Sequence, residues 1–176
     1  MSKRVFARIL TAALTLAAVV SVFAAPVAAA EVAPKAKSTV NKNLVDSTGD
    51  AWIDEIVRLT NEARKAEGLK PLKINLVLNQ AATVRASELP SSPKPHLRPD
   101  SRAFYTIFKE VGLKPKKGGE NYAIATANAF TAEQIVTGWM NSPSHRKNIM
   151  NPKYTQIGIG HTIVDGNEYF EQLFIG

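Results

Sequence analysis

The side chains best suited to chemistry fall in three short stretches of the 176-residue chain. One is Trp139–Gly160, WMNSPSHRKNIMNPKYTQIGIG, where Ser142 stands three residues before His145 and Arg146 follows it. Another places His96 at the end of the rigid run PSSPKPH, and the third sets Glu120 directly after Gly118-Gly119. An imidazole can move a proton or bind a metal near neutral pH. A carboxylate can serve as base or ligand, and a hydroxyl attacks when a base activates it. The spacing rules out several ready-made sites: no HExxH pair and no nucleophile elbow is present. A proline turn separates Ser142 from His145 and no third residue visibly orients the imidazole, so a Ser-His nucleophile is disfavoured. The chain has no cysteine, which excludes thiol catalysis, cysteine metal ligation and disulfide staples.

These residues sit at the ends of elements that the sequence pattern predicts. Asp50 is placed to cap a helix in which Ile53, Ile56, Val57, Thr60 and Ala63 follow helical spacing, with Gly68 ending it. Asn61, Glu62 and Arg64 in that helix form either a solvated, ion-paired face or a tie to neighbouring elements. A second helix is predicted from Leu76 to Leu89, lined by Leu78, Ala82, Ala86 and Leu89, and stopped by the Pro90–Pro95 run that leads to His96. A short amphipathic helix spans Arg102 to Val111, and Asn121 to Ala125 can enter a strand. Phe130 to Met140 returns to helical spacing, with Thr131 and Gln134 forming a capping box. Ser144 to Met150 supplies one or two more turns before Pro152.

The terminus predicts a β-hairpin, Ile157–Val164 and Asn167–Ile175, turning at Asp165-Gly166. Its second strand is apolar on both faces, with Tyr169, Leu173 and Ile175 on one and Phe170 and Phe174 on the other. A strand covered on both sides needs helices on both sides. The expected fold class is therefore α+β: a three-layer α/β/α sandwich with a small antiparallel sheet.

Lys3, Arg4 and Arg8 precede an apolar run from Ile9 to Ala25, which Pro26–Ala30 closes with small residues. Residues 1–30 thus have the pattern of a signal peptide cleaved after Ala30, of bacterial type; an uncleaved anchor is the alternative. Residues 31–47 read as a linker and 48–176 as one domain. Elsewhere no apolar segment could span a bilayer, and the leader pattern implies a mature protein outside the cytoplasmic membrane, secreted or periplasmic according to the envelope. Loss of Lys3, Arg4 and Arg8 takes the formal charge from +7 to +4. That excess suits an anionic wall polymer or membrane surface, or is simply a solvated face. The basic residues are scattered without aromatic interleaving, so nucleic acid is not an expected partner. Nothing in the pattern demands an obligate assembly, and a monomer is the default.

The motifs LTNEARKAEGLKPL, PKPHLRPD, GGENYA, WMNSPSHRKNIMNPKYTQIGIG and YFEQLFIG, in that order over about Ile53–Gly176, resemble the CAP superfamily (cysteine-rich secretory proteins, antigen 5 and pathogenesis-related 1) in its bacterial SCP-like branch. The resemblance implies a secreted α-β-α sandwich with a cleft centred on two histidines and two acidic residues. By motif these fall on His96, Glu120 and His145, while the second acidic position falls on Ser142, a departure. Glu133 could substitute for it. Two imidazoles and a carboxylate meeting in a cleft could hold a divalent ion such as zinc through His96, His145 and Glu120. They could equally form a closed hydrogen-bonded network, with Ser142 as a further donor and acceptor.

Three functions fit the cluster. The first is a binding module taking a cell-wall, peptide or lipid ligand without chemical change. The second is a metal-assisted hydrolase of peptide or wall substrates, with Glu120 as base. The third is a mainly structural His/Glu network in a secreted interaction protein. The remaining conspicuous residues have plainer expected roles. Trp139 belongs to the core, Arg146 ties a loop carboxylate or carbonyl, and Asn148 and Asn151 fix turns. Asn121 bonds backbone across the cleft, and His161 takes a half-exposed strand position.

Overall fold

Capping side chains and buried stripes set the boundaries of the elements. The computed structural model describes residues 43–176; the expected signal peptide and most of the expected linker lie outside the described residues. Strand β1 is Leu44–Val45, inside the stretch read as linker. It pairs antiparallel with β2, Lys73–Asn75, so the domain begins earlier than residue 48. Helix α1, Ala51–Ala66, starts where the Asp50 carboxylate accepts from the Trp52 and Ile53 amides at 2.9 and 3.1 Å. Its buried stripe is Ile56, Val57, Thr60 and Arg64. Helix α2, Leu76–Glu88, is capped by Asn75 and ends at a 3₁₀ turn, Leu89–Ser91.

Helix α3 is only Thr106–Glu110. The predicted start at Arg102 fails because Asp100 binds both the amide and the guanidinium of Arg102, at 3.0 and 2.6 Å, and holds a turn with Ser101 at positive φ. Strand β3 follows, Gly118–Thr126, then α4, Ala132–Asn141, with the Thr131–Gln134 capping box in place. Helix α5, Pro143–Ile149, leads to β4, Gln156–Val164, and β5, Asn167–Ile175, joined through Asp165 and Gly166, both at positive φ.

The sheet order is β1-β2-β4-β5-β3. The three long strands are antiparallel as expected, but β2 joins β4 in parallel through two residue pairs, which makes the sheet mixed. That pairing closes a long crossover through the helices, the kind of connection parallel strands require.

Residues alternating along β4 and β5 separate two apolar layers. Ile157, Ile159, Phe170 and Phe174 pack with α1 and α4 around Trp139, whereas Leu173 and Ile175 pack with α2 and α3. On the α2 side β4 presents Gly158 and Gly160. A Cβ at either would run into α2 backbone, at the Leu78 carbonyl and the Thr83 amide respectively. Helix α2 therefore lies directly on the sheet, and that close approach carries Arg85 down to β3 and β5. No helix among the described residues is long and apolar enough to cross a membrane.

Candidate functional site

Glu120 on β3 is buried at 2% exposure and is gripped from two sides. Arg85 Nε of α2 donates to one carboxylate oxygen at 2.9 Å, and His96 Nδ1 lies 2.7 Å from the other. Burial pushes the Glu120 carboxyl up, but the His96 hydrogen bond and the Arg85 charge outweigh it and hold the group below the usual glutamate range. An ionised carboxylate only accepts, so His96 Nδ1 carries the proton and its Nε2 is the free ring nitrogen. The backbone at His96 sits at φ 61°, unusual for a residue with a side chain. It is held there by the Phe104 amide on the His96 carbonyl and by the Leu97–Ala103 bridge. The loop thus spends backbone strain on aiming one imidazole.

Beneath the loop, Arg85 also donates to Glu88 and to the Leu97 carbonyl, while buried Arg98 joins Glu88 to Glu110. Tyr122, two residues beyond Glu120, stands between the two histidines. Its ring centroid is 5.6 Å from that of His96 and 6.3 Å from that of His145. His145 lies on α5, which is stitched to β3 by amides. Asn148 donates to the Glu120 carbonyl and to Asn121 Oδ1, each at 2.9 Å, and Asn121 Nδ2 donates to the His145 carbonyl at 3.1 Å. Burial, and then the charge His96 can carry, lowers the proton affinity of His145, which favours a neutral imidazole.

His96, Glu120 and His145 are therefore gathered around Tyr122. Ser142 lies on the same groove as His145, but its hydroxyl faces Ser144 Oγ at 3.3 Å rather than the imidazole. Glu133 is exposed in the first turn of α4 and, among the described residues, hydrogen-bonds to none of His96, Glu120 and His145. The three-ligand zinc site is not formed. Both Glu120 oxygens are committed, and among the described residues no group of three or more His, Asp or Glu is arranged to hold an ion. As arranged here, the three side chains do not make a ligand set for the ion. Asn148, expected as a turn residue, instead bridges α5 to β3, while Asn151 does hold its turn by accepting the Lys153 amide. Trp139, Arg146, Asn121 and His161 take their expected places: core, a tie to Glu67, a bond to the His145 carbonyl, and a half-exposed strand position bonded to Glu168.

Sequence reasoning missed Arg85, Arg98, Tyr122 and Glu171. Arg85 does carry a signal: with Leu78 and Ala82 it lies on the buried stripe of α2, where a charge needs partners. Glu171 likewise interrupts the apolar face made by Leu173 and Ile175.

A groove of about 470 Å³ runs from His145 and Ser142 along β3 and α4, floored by Trp139 and Ile135 and flanked by Ile124 and Phe130. The last two are exposed at 54% and 47%, unusual for such side chains. Strand β3 is an edge strand. Lys117 and Gly176 exchange both backbone hydrogen bonds and Ala127 donates to Gly166, so odd-numbered residues bond β5 and even-numbered ones turn outward. The outward carbonyls of Gly118, Glu120 and Tyr122 accept from Tyr154 Oη, Asn148 Nδ2 and Trp139 Nε1. That of Thr126 accepts from the Ala129 amide. Ile124 is the remaining outward position of β3, and it opens onto the groove.

The family description "Cysteine-rich secretory protein family" (CAP) matches residues 57–175. The uncharacterized protein YkwD of Bacillus subtilis (strain 168) is 35% identical over 149 residues, 82% of this chain and 56% of YkwD. Among solved structures, a cysteine-rich secretory protein from Staphylococcus aureus is 27% identical with a TM-score of 0.58, over 80% of this chain and 41% of that one. An outer surface protein from Borrelia burgdorferi shares the fold with a TM-score of 0.62 at 22% identity, over 75% of this chain and 96% of that one. The chain spans little more than half of YkwD and less than half of the staphylococcal protein.

Proposed function

This chain belongs to the cysteine-rich secretory protein family, and we propose that it is an exported binding module whose β3–α4 groove receives an extended, partly apolar peptide. The observation that carries this reading is Ile124, whose backbone amide and carbonyl face outward on an edge strand beside an apolar floor. An extended peptide pairs with such an edge through its main chain and sets alternate side chains into the neighbouring pocket. Trp139, Ile135 and Phe130 would take an apolar side chain, and neutral His145 with Ser142 would meet a polar group at the closed end. His96 presents its Nε2 on the other side of Tyr122. The leader pattern at residues 1–30 and the +4 charge remaining after cleavage support a place outside the cytoplasmic membrane, near anionic wall material.

A hydrolytic role has less support. Glu120 is occupied by two cations or donors and is not free to activate water, and Ser142 lacks a base. The test is an amide-resolved NMR titration of the secreted chain with pooled unstructured hexapeptides of alternating apolar and polar residues. Binding is expected to move the Ile124 and Tyr122 amides first. Phe130→Asp should weaken it about tenfold, roughly 1.4 kcal/mol. A fatty-acid micelle that moves the same amides equally in an Ile124→Pro chain, with no peptide binding, would replace the peptide with an acyl chain.

A further inference from the structure

Glu171 is fully buried at the centre of β5, and neither of its carboxyl oxygens meets a hydrogen-bond donor among the described residues. Such a group is an exception that needs a physical reason. Its surroundings can be named element by element. On β3, Tyr122 is its direct cross-strand partner and Glu120 its diagonal neighbour on the same face. On β4 the opposite residue is Gly160, which carries no side chain. From α2 come Arg85 and Glu88, but the Arg85 nitrogens are directed to Glu120, Glu88 and the Leu97 carbonyl. Arg98 is taken by Glu88 and Glu110. What Glu171 faces is thus the carboxylate of Glu120, a second acceptor. Two ionised carboxylates would repel there without any donor between them, and an unpaired buried charge is among the costliest features a core can hold.

We propose that Glu171 is a neutral carboxylic acid in the folded protein and donates its proton to a hydrogen bond with Glu120. The pair then holds one proton and one negative charge. The charge rests on Glu120, between Arg85 and His96, and the proton on Glu171, to which Arg85 donates no hydrogen bond. Burial and the Glu120 charge both raise the Glu171 proton affinity well above that of an ordinary glutamate, in agreement with that division. Glu171 is therefore a positioning residue. It occupies part of the Glu120 lone-pair capacity and so moderates how strongly Glu120 holds the His96 Nδ1 proton. This goes beyond peptide binding and is independent of any ligand.

The decisive measurement is infrared spectroscopy of the wild-type chain at neutral pH with ¹³C-glutamate labelling. One protonated-carboxyl carbonyl band is expected, and it should vanish in Glu171→Gln. A wild-type spectrum without such a band overturns the proposal, whatever the variants do. Stability against pH gives a second reading. An acid with a raised folded value binds more protons folded than unfolded, so wild-type stability falls as pH climbs above the ordinary glutamate value, with about one proton taken up on folding. Glu171→Gln keeps a donor and loses that linkage, so its melting temperature should gain on the wild type as pH rises. A glutamine variant that loses ground as pH rises would mean that Glu171 is ionised and paired. In Glu171→Leu the donor is gone, Glu120 becomes the stronger acceptor, and the His96 Nδ1–H resonance should move downfield. In Glu171→Gln it should stay. A folded leucine variant with an unmoved resonance would break the link to Glu120.

Discussion

Two arginines are buried to within 1% of complete exclusion from solvent, and they are solved in opposite ways. Arg64 of α1 donates to backbone alone: the carbonyls of Lys70 at 3.0 Å, Ile149 at 2.6 Å and Asn151 at 3.1 Å, with Tyr154 at the edge of range. Arg85 of α2 donates to two carboxylates and one carbonyl. Burial with no counter-charge lowers the proton affinity of Arg64. For Arg85 burial acts the same way, but Glu120 and Glu88 reverse it. Arg64 locks loops that must not move, using dipoles fixed by the chain. Arg85 holds ionisable groups whose charge state can change, and those groups reach the cleft through His96. Carbonyl partners mark the structural end of the molecule, and carboxylate partners mark the site.

The largest effect should come from Arg64→Ala. Three or four carbonyls, two of them on buried residues, lose charge-assisted bonds and a cavity opens, for a loss of about 4 kcal/mol in chemical denaturation. The His96 and His145 NMR signals should keep their positions in the fraction that folds. A shift of either would mean that the two regions are coupled and that the contrast is false.

Arg85→Leu should cost somewhat less, about 3 kcal/mol, mainly because buried Glu120 is left with His96 alone, while Glu88 keeps Arg98. Combining it with Glu120→Gln should return part of that loss, a coupling visible in a double-mutant cycle. Strict additivity would deny that the two charges stabilise each other. Unlike the Arg64 variant, the single mutant should also disturb the His96 Nδ1–H resonance.

Acid should separate the two regions without mutation. The folded Glu120 value is depressed, so its contribution is present above the ordinary glutamate pKa of about 4.3 and is lost as pH falls through the lower folded value. Arg64 has no carboxylate partner and nothing comparable to lose. Hydrogen exchange below pH 4 should therefore open the Leu97–Ala103 bridge and β3 near Glu120 before the contacts between α1 and the Ile149–Tyr154 segment. Simultaneous opening would show that the ionic cluster is not an independent acid-labile unit.

The contrast also explains what the sequence disclosed and what it withheld. The capping box at Thr131, the Asp165-Gly166 hairpin and the doubly apolar β5 are local signals, and each formed as expected. Motif resemblance named His96, Glu120 and His145, which the fold gathers around Tyr122. The supports were harder to read because their partners lie far along the chain: Glu120 is 35 residues from Arg85, and the Asn151 carbonyl 87 from Arg64. The structure puts both arginines on buried helical stripes, whereas the sequence pattern sets Arg64 in a polar cluster and does not single out Arg85, and spacing alone could not say whether carbonyls or carboxylates would meet them. The parallel β2–β4 pair and the two-residue β1 escaped for a related reason. Strands this short have no periodicity of their own and exist because a neighbouring edge accepts them.

The smallest effect belongs to a third arginine, and it tests whether burial or charge creates the difference. Arg146 adjoins His145 and pairs with Glu67 at 2.8 Å, but the two side chains are 44% and 54% exposed. Water screens such a pair, and ordering two long side chains offsets much of its attraction. Arg146→Ala should therefore change stability by no more than about 0.5 kcal/mol, and 0.5 M salt should erase even that. His145 should titrate as before, since the guanidinium points toward α1 rather than into the groove. A loss rivalling that of Arg85→Leu would mean that proximity to the site governs the energetics. A negligible loss would leave burial as the governing variable, with the partner's chemistry deciding only what a buried arginine is used for.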